Sequence, residues 1–221
     1  MTIEIGADFP LLDAGRGLGL SAKRLRNSRM KRALDIVGAA LGLVILAPFL
    51  LLIALLIKLD SPGPVLFRQR RTGFDGKVFS IYKFRTMGVL EDGPNVIPAR
   101  KGDERTTRLG RFLRRSSIDE LPQLFNVLQG DMSLVGPRPH AVAHDKQFAA
   151  VIPTYTLRFV AKPGITGLAQ VAGFRGEIRD GAHMEERVER DLEYIANWSL
   201  LLDIKILILT LISVPFHEQA Y

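Results

Sequence analysis

Hydrophobic and polar residues follow different periods in different parts of the chain, and each period predicts a different element. Residues 36–57 carry no charge. That run of roughly 22 positions is long enough, as a straight helix, to cross a bilayer core. It lacks the polar stripe of a helix on a soluble protein. Pro48 lies inside it and predicts a kink. Both flanks are basic, with Lys23, Arg24, Arg26, Arg29, Lys31 and Arg32 before the run and Lys58, Arg68, Arg70 and Arg71 after it. Cations near a membrane segment favour the cytoplasm, and a simple span would leave one basic flank outside. The pattern therefore favours a membrane-inserted, re-entrant N-terminal helix over residues 29–58. It is broken near Pro48, has both ends on one side, and has its half-helices buried by protein or headgroups.

Beyond this run the periods shorten. Residues 65–71 and 77–84 alternate as strands, with Gly73 and Gly76 between them, and predict a hairpin that delivers Lys83 and Arg85 to its end. Residues 103–115 read as a basic, partly amphipathic helix with an apolar edge of Leu109, Phe112 and Leu113. Residues 121–128 place Leu121, Leu124, Phe125 and Leu128 at helical spacing as a core face, leaving Asn126 as an exposed polar position. Helices are also expected over 141–150 and 184–197, with a turn-rich segment at 162–171. Residues 198–214 are apolar but interrupted by Asp203 and Lys205, too short to span. They predict a helix buried against the core or lying in the membrane interface. Residues 1–28 read as a flexible tail, and Glu4 and Asp8 argue against a signal peptide. Residues 91–102 read as a loop. The fold class is α+β, mostly helical, with a small β-hairpin and interfacial amphipathic helices around the re-entrant helix.

The formal charge of +7 suits an acidic partner: nucleic acid, anionic lipid or a phosphorylated substrate. The absence of cysteine excludes disulfides, thiolate catalysis and Cys-ligated zinc. His140, His144, His183 and His217 form no His-x-x-x-His pair, and no phosphate-binding glycine loop occurs, so zinc-hydrolase, ATPase and dinucleotide readings lose support.

Candidate chemistry concentrates at Asp119 and Glu120, adjacent carboxylates following Arg114 and Arg115. Ser117-Ile-Asp-Glu120 also fits a capping box. Pro122 conflicts with Ser117 as the cap, whereas a cap at Asp119 or Glu120 puts Pro122 in the first turn. The carboxylates are thus expected at a helix start, kept ionised by the positive end of the dipole. Capping and catalysis both remain open on this local pattern. Downstream, Pro137 and Pro139 fix the backbone around Arg138. Carboxylates among fixed cations suit phosphoryl chemistry. Arginines neutralise phosphate oxygens, one carboxylate can hold Mg2+, and the other can attack phosphorus.

Six ordered stretches resemble the bacterial sugar transferase family, the monotopic polyprenyl-phosphate phosphoglycosyl transferases. They are Lys31-Arg-Ala-Leu-Asp35; Lys58-Leu-Asp-Ser-Pro-Gly-Pro64; Tyr82-Lys-Phe-Arg-Thr-Met87; Ser117-Ile-Asp-Glu-Leu-Pro-Gln-Leu-Phe-Asn-Val-Leu128; Gly130-Asp-Met-Ser-Leu-Val-Gly-Pro-Arg-Pro139; and Lys162-Pro-Gly-Ile-Thr-Gly167. The resemblance implies transfer of a sugar-1-phosphate from a UDP-sugar to undecaprenyl phosphate, with release of UMP, at the start of exopolysaccharide, capsule, O-antigen or glycoconjugate synthesis. It implies Asp119 as nucleophile, Glu120 as the Mg2+ ligand, and Arg114 and Arg138 on phosphate groups, with Lys83 and Arg85 as weaker candidates. It also implies a monotopic protein on the cytoplasmic face of the bacterial inner membrane. Residues 59–221 would form its catalytic domain, in contact with membrane lipid and compatible with a homo-oligomer. The family's re-entrant break is often a Ser-Pro pair; here it is Ala47-Pro48. The rival classes are a membrane-tethered nucleic-acid binder, which lacks a recognition motif, and a non-catalytic scaffold of a polysaccharide assembly complex. No nucleic-acid partner is expected.

Overall fold

The computed structural model describes residues 16–88, 102–174 and 181–213. Residues 1–15 and most of the expected 91–102 loop lie outside the described residues.

The chain opens with α1 (Arg16–Asn27), where the sequence predicts only a tail. Its glycines weaken the local helical signal, but Ala22 and Leu25, three residues apart, are buried against Tyr194, Ile195 and Ile206. Ser28 then caps α2 (Arg29–Asp60) by accepting from the Lys31 amide. Contrary to the expected break, α2 is one uninterrupted helix through Pro48. Proline deletes the bond its own N–H would have made, and helical bonding on either side carries the chain across.

The expected hairpin forms. Strands β1 (Leu66–Thr72) and β2 (Val78–Phe84) pair antiparallel, with Phe67 opposite Lys83. Helix α3 (Arg108–Ser116) begins later than predicted because the Thr107 side chain caps it, accepting from the Gly110 amide. Helix α4 (Gln123–Gln129) is rotated from the expected face. Leu124 and Val127 are buried while Phe125 is exposed, and Asn126 is fully buried rather than exposed.

A second sheet, absent from the sequence reading, pairs β3 (Ser133–Val135) with β4 (Gly164–Thr166) in parallel. A β-carbon on Gly136 would meet the Lys162 carbonyl oxygen at 2.3 Å, so glycine is what lets these backbones approach. Helices α5 (Val142–Val151), α6 (Leu168–Val171), α7 (Gly181–Ala196) and α8 (Leu200–Ser213) complete the order. Helix α8 buries Asp203 and Ile206 while Leu201, Ile208 and Leu211 stay exposed.

Both ends of α2 are gripped by this one body. Near its start, Lys31 Nζ donates to Asp203 Oδ2 at 2.9 Å, and Asp35 Oδ1 accepts from Ser133 Oγ and the Leu134 amide. Near its end, Ile53 and Ile57 pack with Phe84 and Leu113. The opposite face is bare, with Val44, Ile45 and Leu51 each more than two-thirds exposed. By length and apolarity α2 is a candidate membrane helix.

Candidate functional site

Ser117 closes α3 in the left-handed conformation, at φ 59°, and turns the chain into a single 3-10 turn, Ile118–Glu120. Pro122 follows, immediately before α4. Neither Ser117 nor Pro122 makes a side-chain cap bond, and both carboxylates belong to the turn rather than to a capping box. The capping reading of Asp119 and Glu120 therefore gives way. Both residues are buried.

The two acids have different surroundings. Glu120 is clamped: Lys83 Nζ donates to Oε1 at 2.8 Å, and Arg138 spans both oxygens, Nη1 to Oε2 at 3.1 Å and Nη2 to Oε1. This forked contact has the planar geometry that guanidinium–carboxylate pairs favour. Asp119 makes no side-chain hydrogen bond among the described residues; Lys83, Arg114 and Arg138 act on it through charge. Burial pushes its carboxyl up from 3.8 to about 6, with the charge of Glu120 adding to the rise and the three cations opposing it. Desolvation thus outweighs the lowering expected from a helix dipole, although a carboxyl at about 6 is still mostly ionised at neutral pH. Burial also lowers the Lys83 ammonium, against the pull of Glu120.

Backbone geometry fixes the cations. Lys83 extends from β2, whose position beside α4 is set by Asn126. Its Oδ1 accepts from the Tyr82 amide at 2.9 Å and its Nδ2 donates to the Ser80 carbonyl at 2.7 Å. The Pro137–Pro139 loop is held on several sides. Pro137 O accepts from the Gly164 amide, Arg138 O from Arg158 Nη2 at 2.6 Å, and Pro139 O from Arg71 Nη1 at 3.2 Å. Arg158 is itself tied to Asp191 by a buried 2.8 Å contact. His140 lies in this network, bonded to Tyr155, which donates to Asp145. Burial and the charges of Arg158 and Arg187 hold the imidazole neutral, which suits a structural role.

Of the sequence-predicted residues, Asp119, Glu120, Lys83, Arg114 and Arg138 converge. Arg85 does not join them. Its guanidinium donates to the carbonyls of Ile57, Ser61 and Pro62 and closes the C-terminal end of α2. Pro48 lies within α2 and makes no hydrogen bond to the acids. Sequence reasoning missed Arg71 and Asn126. Asn126 had a readable signal, an amide in an otherwise apolar helical stretch. Arg71 had none, being one of several cations on a strand. Among the described residues no cluster of three or more His, Cys, Asp or Glu is placed to hold a metal.

Comparison with known proteins extends this picture. The family model described as bacterial sugar transferase matches residues 26–217. A UDP-glucose:undecaprenyl-phosphate glucose-1-phosphate transferase of Caulobacter vibrioides is 56% identical over 99% of this chain and 81% of its own length. A protein of the same name from Escherichia coli is 54% identical over 88% of this chain and 42% of its own length. A UDP-N-acetylgalactosamine-undecaprenyl-phosphate N-acetylgalactosaminephosphotransferase of Aeromonas hydrophila is 44% identical over 82% of this chain and 43% of its own length. The chain thus spans less than half of the two longer relatives. The match over nearly all of its length, with every converging residue inside the matched span, makes this chain a member of the bacterial sugar transferase family.

Proposed function

We propose that this protein transfers a sugar-1-phosphate from a UDP-sugar to undecaprenyl phosphate, releasing UMP, and so begins assembly of an exopolysaccharide or related glycoconjugate. The observation that carries this reading is the division of labour between adjacent acids: Glu120 held by two cations, Asp119 beside it without a hydrogen-bonded partner. One carboxylate is positioned; the other is left to react. In the first step an Asp119 oxygen attacks the β-phosphorus. The bond from that phosphorus to the bridging oxygen breaks, and UMP leaves with the electron pair. In the second step an oxygen of undecaprenyl phosphate attacks the same phosphorus and frees Asp119. Arg138, Lys83 and Arg114 balance the phosphate charge.

Glu120 offers Mg2+ a single hard carboxylate, which Lys83 and Arg138 already engage, so most of the coordination would fall to substrate phosphates and water, as this ion prefers. Glu120 is the residue that would hold it, and the bound ion would neutralise phosphate oxygens. The names of the Caulobacter and Escherichia relatives favour UDP-glucose as the donor.

The same reading puts α2 in the cytoplasmic leaflet of the inner membrane as a re-entrant, monotopic anchor. Support comes from the grip of one body on both its ends and from its bare apolar flank. The lipid phosphate would then meet the acids at headgroup depth.

The test is UMP release by purified protein with Mg2+ and undecaprenyl phosphate, across a panel of UDP-sugars, beside Asp119→Asn. UMP from UDP-glucose that disappears in the variant supports the reading. No UMP from any sugar, in folded protein, overturns it in favour of a scaffold.

A further inference from the structure

At the end of α4 remote from the acid pair, a cleft of about 160 Å3 opens between α1, the start of α2 and the segment before β4. Leu25, Phe74 and Val160 give it apolar walls, and Arg26, Arg32 and Lys162 line it with positive charge, against one carboxylate, Asp35, whose Oδ1 is taken by Ser133 and the Leu134 amide. Lys31 also borders it, but its ammonium is fully used by Val135 O, Tyr194 and Asp203. Arg32 spends one N–H on the Val127 carbonyl and one on that of Leu128, leaving others free to point into the cleft.

Lys162 is the anomaly. Among the described residues its ammonium makes no hydrogen bond or ion pair, only longer-range interactions. A β-carbon on Gly130 would lie 3.6 Å from Arg32 Nη2 and 3.8 Å from Lys162 Nζ, so the two cations flank the same glycine at the end of α4. Burial and the nearby Arg32 charge push the Lys162 ammonium down, and Asp35 and Asp131 offset this only in part. Arg26 adds a third cation at the mouth. It lies over the Phe74 ring at 5.2 Å, with only a loose 3.8 Å contact to Asp75. Neighbouring like charges in a half-buried cleft cost free energy, and an oxyanion between them removes that cost.

We propose that this cleft is a second anion site, separate from the acid pair, which binds a phosphate group carried either by a membrane lipid or free in solution. The N–H groups of Arg32 not spent on carbonyls and the Lys162 ammonium can together meet the oxygens of a tetrahedral phosphate. The volume exceeds that of a bare phosphate, and the apolar walls suit the glyceryl stem of a lipid headgroup. The site lies where α2 leaves the globular body, and α4 connects it to the turn that bears Asp119 and Glu120.

The experiment titrates full-length protein in a non-ionic detergent with two probes, inorganic phosphate and short-chain dihexanoyl phosphatidylglycerol. Wild type, Lys162→Gln, Arg26→Gln and Arg138→Gln are compared, with circular dichroism confirming each fold. The expected result is saturable binding that weakens about tenfold in Lys162→Gln and persists in Arg138→Gln. If Lys162→Gln fails to fold, weakening in Arg26→Gln carries the same meaning. Saturation by phosphate alone identifies a free-phosphate site; saturation by the lipid alone identifies a headgroup site. Absence of saturable binding by either probe overturns the proposal. So does binding that is lost in Arg138→Gln, or that is unchanged in both cleft variants.

Discussion

Asn126 and Tyr82 are joined across α4 and β2: the fully buried Asn126 side chain accepts the Tyr82 amide and donates to the Ser80 carbonyl. One amide thus completes a strand edge that would otherwise end against a helix. It also sets the distance between Lys83, one residue after Tyr82, and Glu120, just before α4. Asn126→Leu removes both bonds and leaves two backbone groups unsatisfied. The expected cost is roughly 2–4 kcal/mol of stability, with a fall in kcat larger than any change in KM. Chemical unfolding and steady-state kinetics check this. A variant as stable and as active as wild type would show that the bridge does not position the site.

Acidity should control turnover through Asp119. Burial raises its carboxyl from 3.8 to about 6, so the folded protein holds this proton more tightly than the unfolded chain does. The stability that follows is fully present below the unfolded value and is lost as pH rises through about 6. Asp119→Asn should therefore raise the melting temperature near neutrality, by an amount corresponding to roughly 3 kcal/mol at most, and the gain should vanish on acidification toward about pH 4. The reaction needs the ionised form, so wild-type turnover should fall as pH drops through about 6. A flat rate between about pH 5 and 8 would remove Asp119 from the nucleophile's role.

The buried pair of Lys31 and Asp203 ties α2 to α8. Tyr194 and Trp198 also donate to Asp203, so the carboxylate is surrounded by donors. Asp203→Ala strands the Lys31 ammonium in the interior and should cost about 3–5 kcal/mol. Replacing both partners by apolar residues, Lys31→Met with Asp203→Leu, should recover much of that loss, because the desolvation cost disappears with the charges. Thermal unfolding of single and double variants in one detergent decides it. A double variant no better than the single one would mean that the pair sets register as well as stability.

What could be read from the sequence was whatever is local. The acid pair, Pro137-Arg138-Pro139 and the hairpin are contiguous, and their chemistry is written in neighbouring residues. Tertiary contacts decided the rest. Helix α1 depends on Ala22 and Leu25 finding Tyr194, far along the chain. The β3–β4 pair, only three residues on each strand, depends on the backbone approach at Gly136. Arg85 stands in the same motif as Lys83, and nothing local separates their fates. The strand end sends one to Glu120 and the other to the carbonyls at the end of α2.

That capping role for Arg85 makes its own prediction. Arg85→Gln should leave the carbonyls of Ser61 and Pro62 without the guanidinium, and that of Ile57 with only the Ser61 amide, and so loosen the end of α2. Stability should fall by roughly 2–3 kcal/mol, while KM for the UDP-sugar stays near wild type. A large rise in KM with unchanged stability would instead make Arg85 a phosphate ligand.

The topology of α2 has a direct test because the chain contains no cysteine. A straight helix of this length reaches about 48 Å, more than a bilayer core requires. Length alone therefore permits a span. Contacts argue otherwise: residues near both ends touch the same globular body, Lys31 through α8 and Ile57 through Phe84 and Leu113. Single cysteines at Lys23 and Lys77, both exposed and on opposite sides of α2, report sidedness to a membrane-impermeant thiol reagent. A re-entrant anchor protects both in intact cells and exposes both in inverted vesicles. Adding Pro48→Ala should leave that result unchanged if the grip of the globular body, rather than the proline, fixes the topology. Labelling of one position from outside intact cells would establish a span and separate the two flanks that the structure joins.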